Sequence, residues 1–203
     1  MTRTFIAIEL NEEVRSYLHQ EVQRFTLALP RVRWVDPAIL HLTLAFLGEL
    51  DDARLAKAIN ATLEVASMSK PFTLRIGSPG TFGPPQNPRV VWIGLAGNVS
   101  QLFDLQARLA ASLVAGGFPP EERSYVPHLT LARIKSPLTS QELVALRRII
   151  TPDSSISTSH NKSSPSKDQG APGISVEHLS VMSSNLTRAD PQYTVVCTCP
   201  FGG

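Results

Sequence analysis

The pentapeptide HLTLA stands at residues 41–45 and again at 128–132. At average composition, recurrence of some pentapeptide in a chain this long has a chance on the order of one in a hundred. The surroundings match too: each copy runs into a polar turn (GELDD or KSPLTS) and then an amphipathic helical pattern. Chance does not reproduce strand, turn and helix in the same order twice. The repeat is read as a divergent internal duplication, which commits the chain to two related halves.

Flanking patterns give the elements. RTFIAIEL (3–10) is rich in β-formers, and Asn11 can cap a helix whose Val14, Leu18, Val22, Phe25 and Leu29 form one buried face. RVRWV (31–35) is extended, and a second helix fits 52–66 with Leu55, Ile59, Thr62 and Ala66 on a shared face. Strands FTLRIGS (72–78) and RVVWIGLA (89–96) flank a Gly/Pro-rich loop, PGTFGPPQNP. A helix over 99–115 ends at Gly116–Gly117, and SYVPHLTLARI forms the next strand. Thr139 opens a capping box with Glu142 ahead of LVALRRII. Residues 151–173 are Ser/Pro-rich and nearly devoid of apolar side chains, which predicts a flexible insertion. ISVEHLSVMSS and QYTVVCTC are two closing strands.

The fold class expected is therefore α+β. Two pseudo-twofold-related lobes of antiparallel sheet, with outer helices, would enclose a central groove as one bilobal domain over 1–203. Length and composition agree: 203 residues, 42% hydrophobic and 18% charged, suit a globular chain with a substantial core. A net charge of +2 tolerates an anionic ligand without the dense basic patches of duplex-coating proteins. The start has no secretory leader pattern, and no apolar run approaches a membrane span. The only cysteines, Cys197 and Cys199, form no useful disulfide framework. A cytoplasmic protein is expected.

Strand parity gives the repeat its chemistry. Side chains alternate faces, so His41 and Thr43 share one, as do His128 and Thr130, while Leu42, Leu44 and Phe46 take the other. If the lobes face each other, two imidazoles and two hydroxyls meet across the groove. With ordinary pKa values near 6.5, one imidazole can accept a proton while the other donates one. The hydroxyls can donate hydrogen bonds to non-bridging oxyanions. A phosphodiester needs an acid, a base and donors to its oxygens. This logic requires no metal or cofactor, and no acidic or cysteine partner sits at ligand spacing beside either motif.

These residues resemble the two-histidine (2H) phosphoesterases, whose mark is a pair of His-x-Thr-x motifs. HLTL at 41–44 and 128–131 matches both. The resemblance to the RNA 2′,3′-cyclic phosphodiesterase (2′-5′ RNA ligase-like) branch extends over about 1–150 and 174–200. It runs through RTFIAIEL, RWVDPAILHLTLAFLGE, GTFGPPQNPRVVWIGL, YVPHLTLARI and VEHLSVMSSNL. It implies hydrolysis of a 2′,3′-cyclic phosphate on an RNA end or nucleotide to the 2′-phosphate. His41 would be the proton donor and His128 the acceptor, although pseudo-symmetry alone leaves these roles interchangeable. Thr43 and Thr130 would hold the phosphate.

Arg133 matches the family's phosphate-contacting arginine, but parity points it away from His128 unless the strand end bends. Two departures concern loops only: the long 151–173 segment, and Asp190–Pro191 where the family often has a glycine turn. The other readings are 2′-5′ ligation, action on another small cyclic phosphate, or a non-catalytic RNA-end binder. The partner implied is RNA with a cyclic phosphate end, or a cyclic nucleotide; no membrane and no obligate protein partner are expected, hence a monomer.

The remaining candidates have plainer readings. Phe82, in the Gly/Pro-rich loop, is the aromatic placed to stack on a base. Trp34, Phe46 and Trp92 read as core. His19, His160 and His178 have no expected role, the two cysteines read as strand residues, and the scattered arginines (Arg31, Arg33, Arg75, Arg89, Arg147, Arg148) read as solvated charge.

Overall fold

The computed structural model describes residues 1–151, 171–186 and 191–202. The predicted insertion thus lies almost wholly outside the described residues, as do His160 and Asp190. The elements run β1 (Thr2–Glu9), α1 (Glu12–Ala28), β2 (His41–Leu50), α2 (Asp52–Ser67), β3 (Phe72–Phe82), β4 (Val90–Gly97), α3 (Val99–Ala115) and β5 (His128–Arg133). They continue with α4 (Ser140–Ile150), β6 (Gly173–Val176), β7 (His178–Leu186) and β8 (Pro191–Pro200).

Helix ends follow the local chemistry. The Asn11 side chain accepts from the Val14 amide at 2.9 Å, and Asp51 does the same for Arg54 at 2.8 Å. Thr139 and Glu142 exchange reciprocal bonds in the capping box. Such caps each stabilise a helix by about 1 kcal/mol. The predicted stripe on α1 is buried throughout. On α2 the buried face is rotated: Ala58, Ala61, Thr62, Val65 and Ala66 are buried, while Leu55 and Ile59 are partly so. Small residues there let α2 lie close on β7, β8 and α3.

Two four-stranded antiparallel sheets result, ordered β2-β1-β7-β8 and β5-β4-β3-β6. In chain order the two halves are β1-α1-β2-α2-β3 and β4-α3-β5-α4 followed by β6 and β7. The sheets do not keep those halves apart. β3, from the first half, pairs with β4 in the second sheet, and β7, from the second half, pairs with β1 in the first sheet. The first half has handed β3 to the second sheet, and the second half has handed the β7–β8 pair to the first. One continuous core follows, with Ile6, Ile8, Leu42 and Val181 from one sheet in the same cluster as Leu74, Ile93, Leu129 and Ile174 from the other.

Two strand assignments are corrected by these pairings. The run ISVEHLSVMSS is two strands split at Glu177, because β6 joins β3 while β7 joins β1. The loop predicted from Pro79 is strand as far as Phe82. A register shift between Ile76 and Pro79 absorbs the proline, and Pro79 then pairs with Ile93. Among the described residues no helix is long and apolar enough to cross a membrane.

The sheets meet along β2 and β5, the edge strand of each. Segments from the opposite half cover those edges: the Val35 amide donates to the Leu131 carbonyl at 2.7 Å, and the Tyr125 hydroxyl to the Thr43 carbonyl at 3.2 Å. Edge strands left open invite foreign pairing. Here they are closed by the other half of the same chain.

Candidate active site

His41 and His128 are the first residues of β2 and β5, so the junction of the two sheets carries both imidazoles. They are held in the same way. The Nδ1 of His41 lies 3.0 Å from the Ile39 carbonyl, and the Nδ1 of His128 lies 2.8 Å from the Val126 carbonyl. A carbonyl can only accept, so Nδ1 carries the proton in each and Nε2 is the exchangeable nitrogen. Among the described residues neither Nε2 has a protein partner. The hydroxyls of Thr43 and Thr130, half-buried, make no protein hydrogen bond among the described residues either. Burial holds the His41 imidazole below the ordinary histidine range, partly offset by its bond to the Ile39 carbonyl.

Aromatic rings wall each histidine. Phe5 stacks on His41 at 4.7 Å and Tyr193 meets it edge-on at 4.9 Å. Phe82 meets His128 edge-on at 4.9 Å, with Trp92 at 6.4 Å. Phe82 is thus a neighbour of one imidazole. Trp92 is part of the same wall and not core: it opposes Thr130 in register, with its ring laid over Gly80. A Cβ at Gly80 would come within 2.4 Å of that ring.

The parity objection to Arg133 is answered by a bulge. Trp92 pairs with Thr130 and Val91 with Ala132, which leaves Leu131 as the extra residue. The slip returns Arg133 to the His128 face. An equal slip occurs at Leu44, since Ala7 pairs with Thr43 and Ile6 with Ala45. Phe46 is therefore turned onto the His41 face, opposite Phe5, and it is 52% exposed. The core assignment of Phe46 is corrected accordingly. Both copies of the motif bulge at the same leucine and re-aim the residue two places on.

Two groups beside the motif carry no signal of their own in the sequence. Glu9 opposes His41 in register, accepts a short hydrogen bond from the Ser180 hydroxyl, and lies 3.5 Å from His178 Nε2. Tyr193 is pushed up by burial and pulled back by the charges of Arg133 and Arg3, so guanidinium groups from both lobes lie near it. His19 sits on exposed helix surface beside Gln23. Cys197 and Cys199 lie on β8 with sulfurs 3.9 Å apart. Among the described residues no cluster of three or more histidine, cysteine or acidic side chains is arranged to hold a metal ion.

Duplicated imidazole and hydroxyl pairs on abutting edge strands of a two-lobed α+β fold define a phosphoesterase of the two-histidine class. The family described as LigT like Phosphoesterase matches residues 8–92 and again 93–193, and the chain belongs to it. Among its relatives is the RNA 2′,3′-cyclic phosphodiesterase of Methanothermobacter thermautotrophicus, 33% identical over 192 residues and covering 95% of each chain. That of Thermotoga maritima is 29% identical, covering 99% of this chain and 96% of its own. Among solved structures, TT0787 of Thermus thermophilus superposes with a TM-score of 0.73 at 25% identity, covering 99% of this chain and 98% of its own. E. coli LigT complexed with 3′-AMP shares the fold with a TM-score of 0.69, covering 100% of this chain and 99% of its own at 22% identity.

Proposed function

We propose that this chain hydrolyses the 2′,3′-cyclic phosphate at an RNA end or on a nucleotide to the 2′-phosphate, by general acid–base catalysis without a metal. The observation that carries the reading is the matched pair of imidazoles, each anchored through Nδ1 so that Nε2 is left for proton transfer. The names of the relatives point to the same substrate class.

His128 Nε2 takes a proton from water as its oxygen attacks phosphorus. The phosphorus–O3′ bond breaks, and His41 Nε2–H delivers its proton to O3′. A 3′-hydroxyl and a 2′-phosphate remain. Burial makes the His41 imidazolium a stronger acid than an ordinary one, which suits a donor, and the anionic ester beside it favours retention of the proton until O3′ departs. Thr43 and Thr130 donate to the non-bridging oxygens, and Arg133, re-aimed by the Leu131 bulge, offsets their charge.

The test is incubation with an oligonucleotide ending in a 2′,3′-cyclic phosphate, in EDTA, with the product identified by phosphorus NMR. A 2′-phosphate is expected. No turnover, turnover only on adding metal, or a 3′-phosphate product would overturn the reading. His41→Ala and His128→Ala should each lose about 10²–10⁴-fold in rate while folding normally.

A further inference from the structure

Arg3 and Phe5 share one face of β1, since Thr4 between them is fully buried on the other. That face is the one carrying His41, on whose ring Phe5 stacks. Arg3 itself is exposed, and its Cζ lies 4.7 Å from the centroid of the Phe46 ring. It is aligned with Ser184 on β7, which is aligned with Tyr193 on β8, so the three form one row across the first sheet. Tyr193 in turn touches His41. The charge of Arg133, from the other lobe, also acts on this tyrosine. Positive charge from both lobes is therefore felt at the Tyr193 end of the groove.

A cyclic phosphate carries a single negative charge, which Arg133 and the protonated His41 of the proposed mechanism already offset. Arg3 lies two strand residues beyond Phe5, about 6.7 Å further along the sheet. On an RNA end, the next negative charge is the phosphodiester on the 5′ side of the terminal nucleoside. The Arg3 guanidinium lies over the Phe46 ring, and a guanidinium carries a planar fork of N–H donors suited to phosphate oxygens. Among the described residues no carboxylate forms an ion pair with Arg3, its cross-strand neighbour Glu49 included.

We propose that Arg3, laid on Phe46, is a binding subsite for the 5′-side phosphate of the terminal nucleotide, so that the groove favours phosphate-bearing RNA ends over cyclic nucleosides lacking that group. The proposal rests on the phosphodiesterase reading above and extends it by one nucleotide linkage.

Three substrates isolate the phosphate: adenosine 2′,3′-cyclic phosphate, the same compound with a 5′-phosphate, and the dinucleotide ApA with a 2′,3′-cyclic end. For Arg3→Gln, the loss in kcat/KM on the two phosphate-bearing substrates should exceed that on the first by about tenfold, and through KM. Arg3→Lys should recover part of it. The salt dependence of log KM for ApA should flatten by about 0.7 in slope in Arg3→Gln. Equal losses on all three substrates, or no loss on any, overturn the proposal. If wild-type protein turns over none of them, the phosphodiesterase reading fails separately. The subsite is then read by calorimetry: Arg3→Gln should weaken binding of 5′-phosphorylated adenosine 2′-phosphate more than that of adenosine 2′-phosphate itself, and an equal effect on both ligands, or none, overturns it.

Discussion

The burial of His41 has a consequence for folding as well as for chemistry. Its native pKa lies below that of the unfolded chain, near 6.5. As pH falls through that value the unfolded state takes up a proton that the native state resists, so stability declines with falling pH in this window. Chemical denaturation at pH 7.5 and pH 5.5 should show a smaller decline for His41→Asn than for wild type; parallel declines would contradict the burial argument. Thr43→Val and Thr130→Val keep strand shape and remove one donor each. A loss of about 10²-fold in kcat/KM is expected from either, and near-normal kinetics would remove the hydroxyls from the mechanism. At this scale the sequence was most legible. Both histidines and both threonines were legible from the repeat and strand parity, because each pair stands before the bulge in its strand. Phe5 and Tyr193 were not visible, since what places them against His41 is pairing across β1, β7 and β8.

Elements were legible where local chemistry decides them and illegible where a partner strand does. The caps at Asn11 and Thr139 and the stripe on α1 were all readable. The bulges at Leu44 and Leu131 were not, because each is a slip between two strands far apart in sequence. They matter most for Arg133 and Phe46, whose faces they invert. The glycine at position 80 is the other hidden determinant: it is needed because the Trp92 ring occupies its Cβ space. Gly80→Ala should destabilise the protein by roughly 1–3 kcal/mol through overpacking, and Trp92→Leu should relieve much of that in the double variant. A denaturant-midpoint cycle over the four proteins measures the coupling; additive effects would show that the ring and the glycine do not compete.

Over the whole molecule, the duplication was legible from ten letters but the exchange of strands was not. Which sheet a segment joins is settled by non-local pairing, and HLSVMSS, paired with β8 on one side, takes β1 of the first half on the other. Exchange should make the lobes unfold together. In Trp34→Phe, fluorescence reports Trp92 in the second sheet while far-UV circular dichroism reports both. The two signals should give coincident single transitions in denaturant, and separated midpoints would mean that the lobes are independent.

The handed-over strands also say something about what half of this chain could be. A polypeptide ending after β3 would hold a two-stranded sheet with one face uncovered and a third strand with no partner in its own chain, which is too little to persist in water. Two such polypeptides could complete each other by reciprocal donation, forming a closed twofold dimer with one HLTLA from each subunit at the junction. Fusing them end to end would turn that symmetry into a pseudo-symmetry and free the two sites to diverge. Phe46 in one copy and Arg133 in the other, at equivalent positions after equivalent bulges, are the form such divergence takes here.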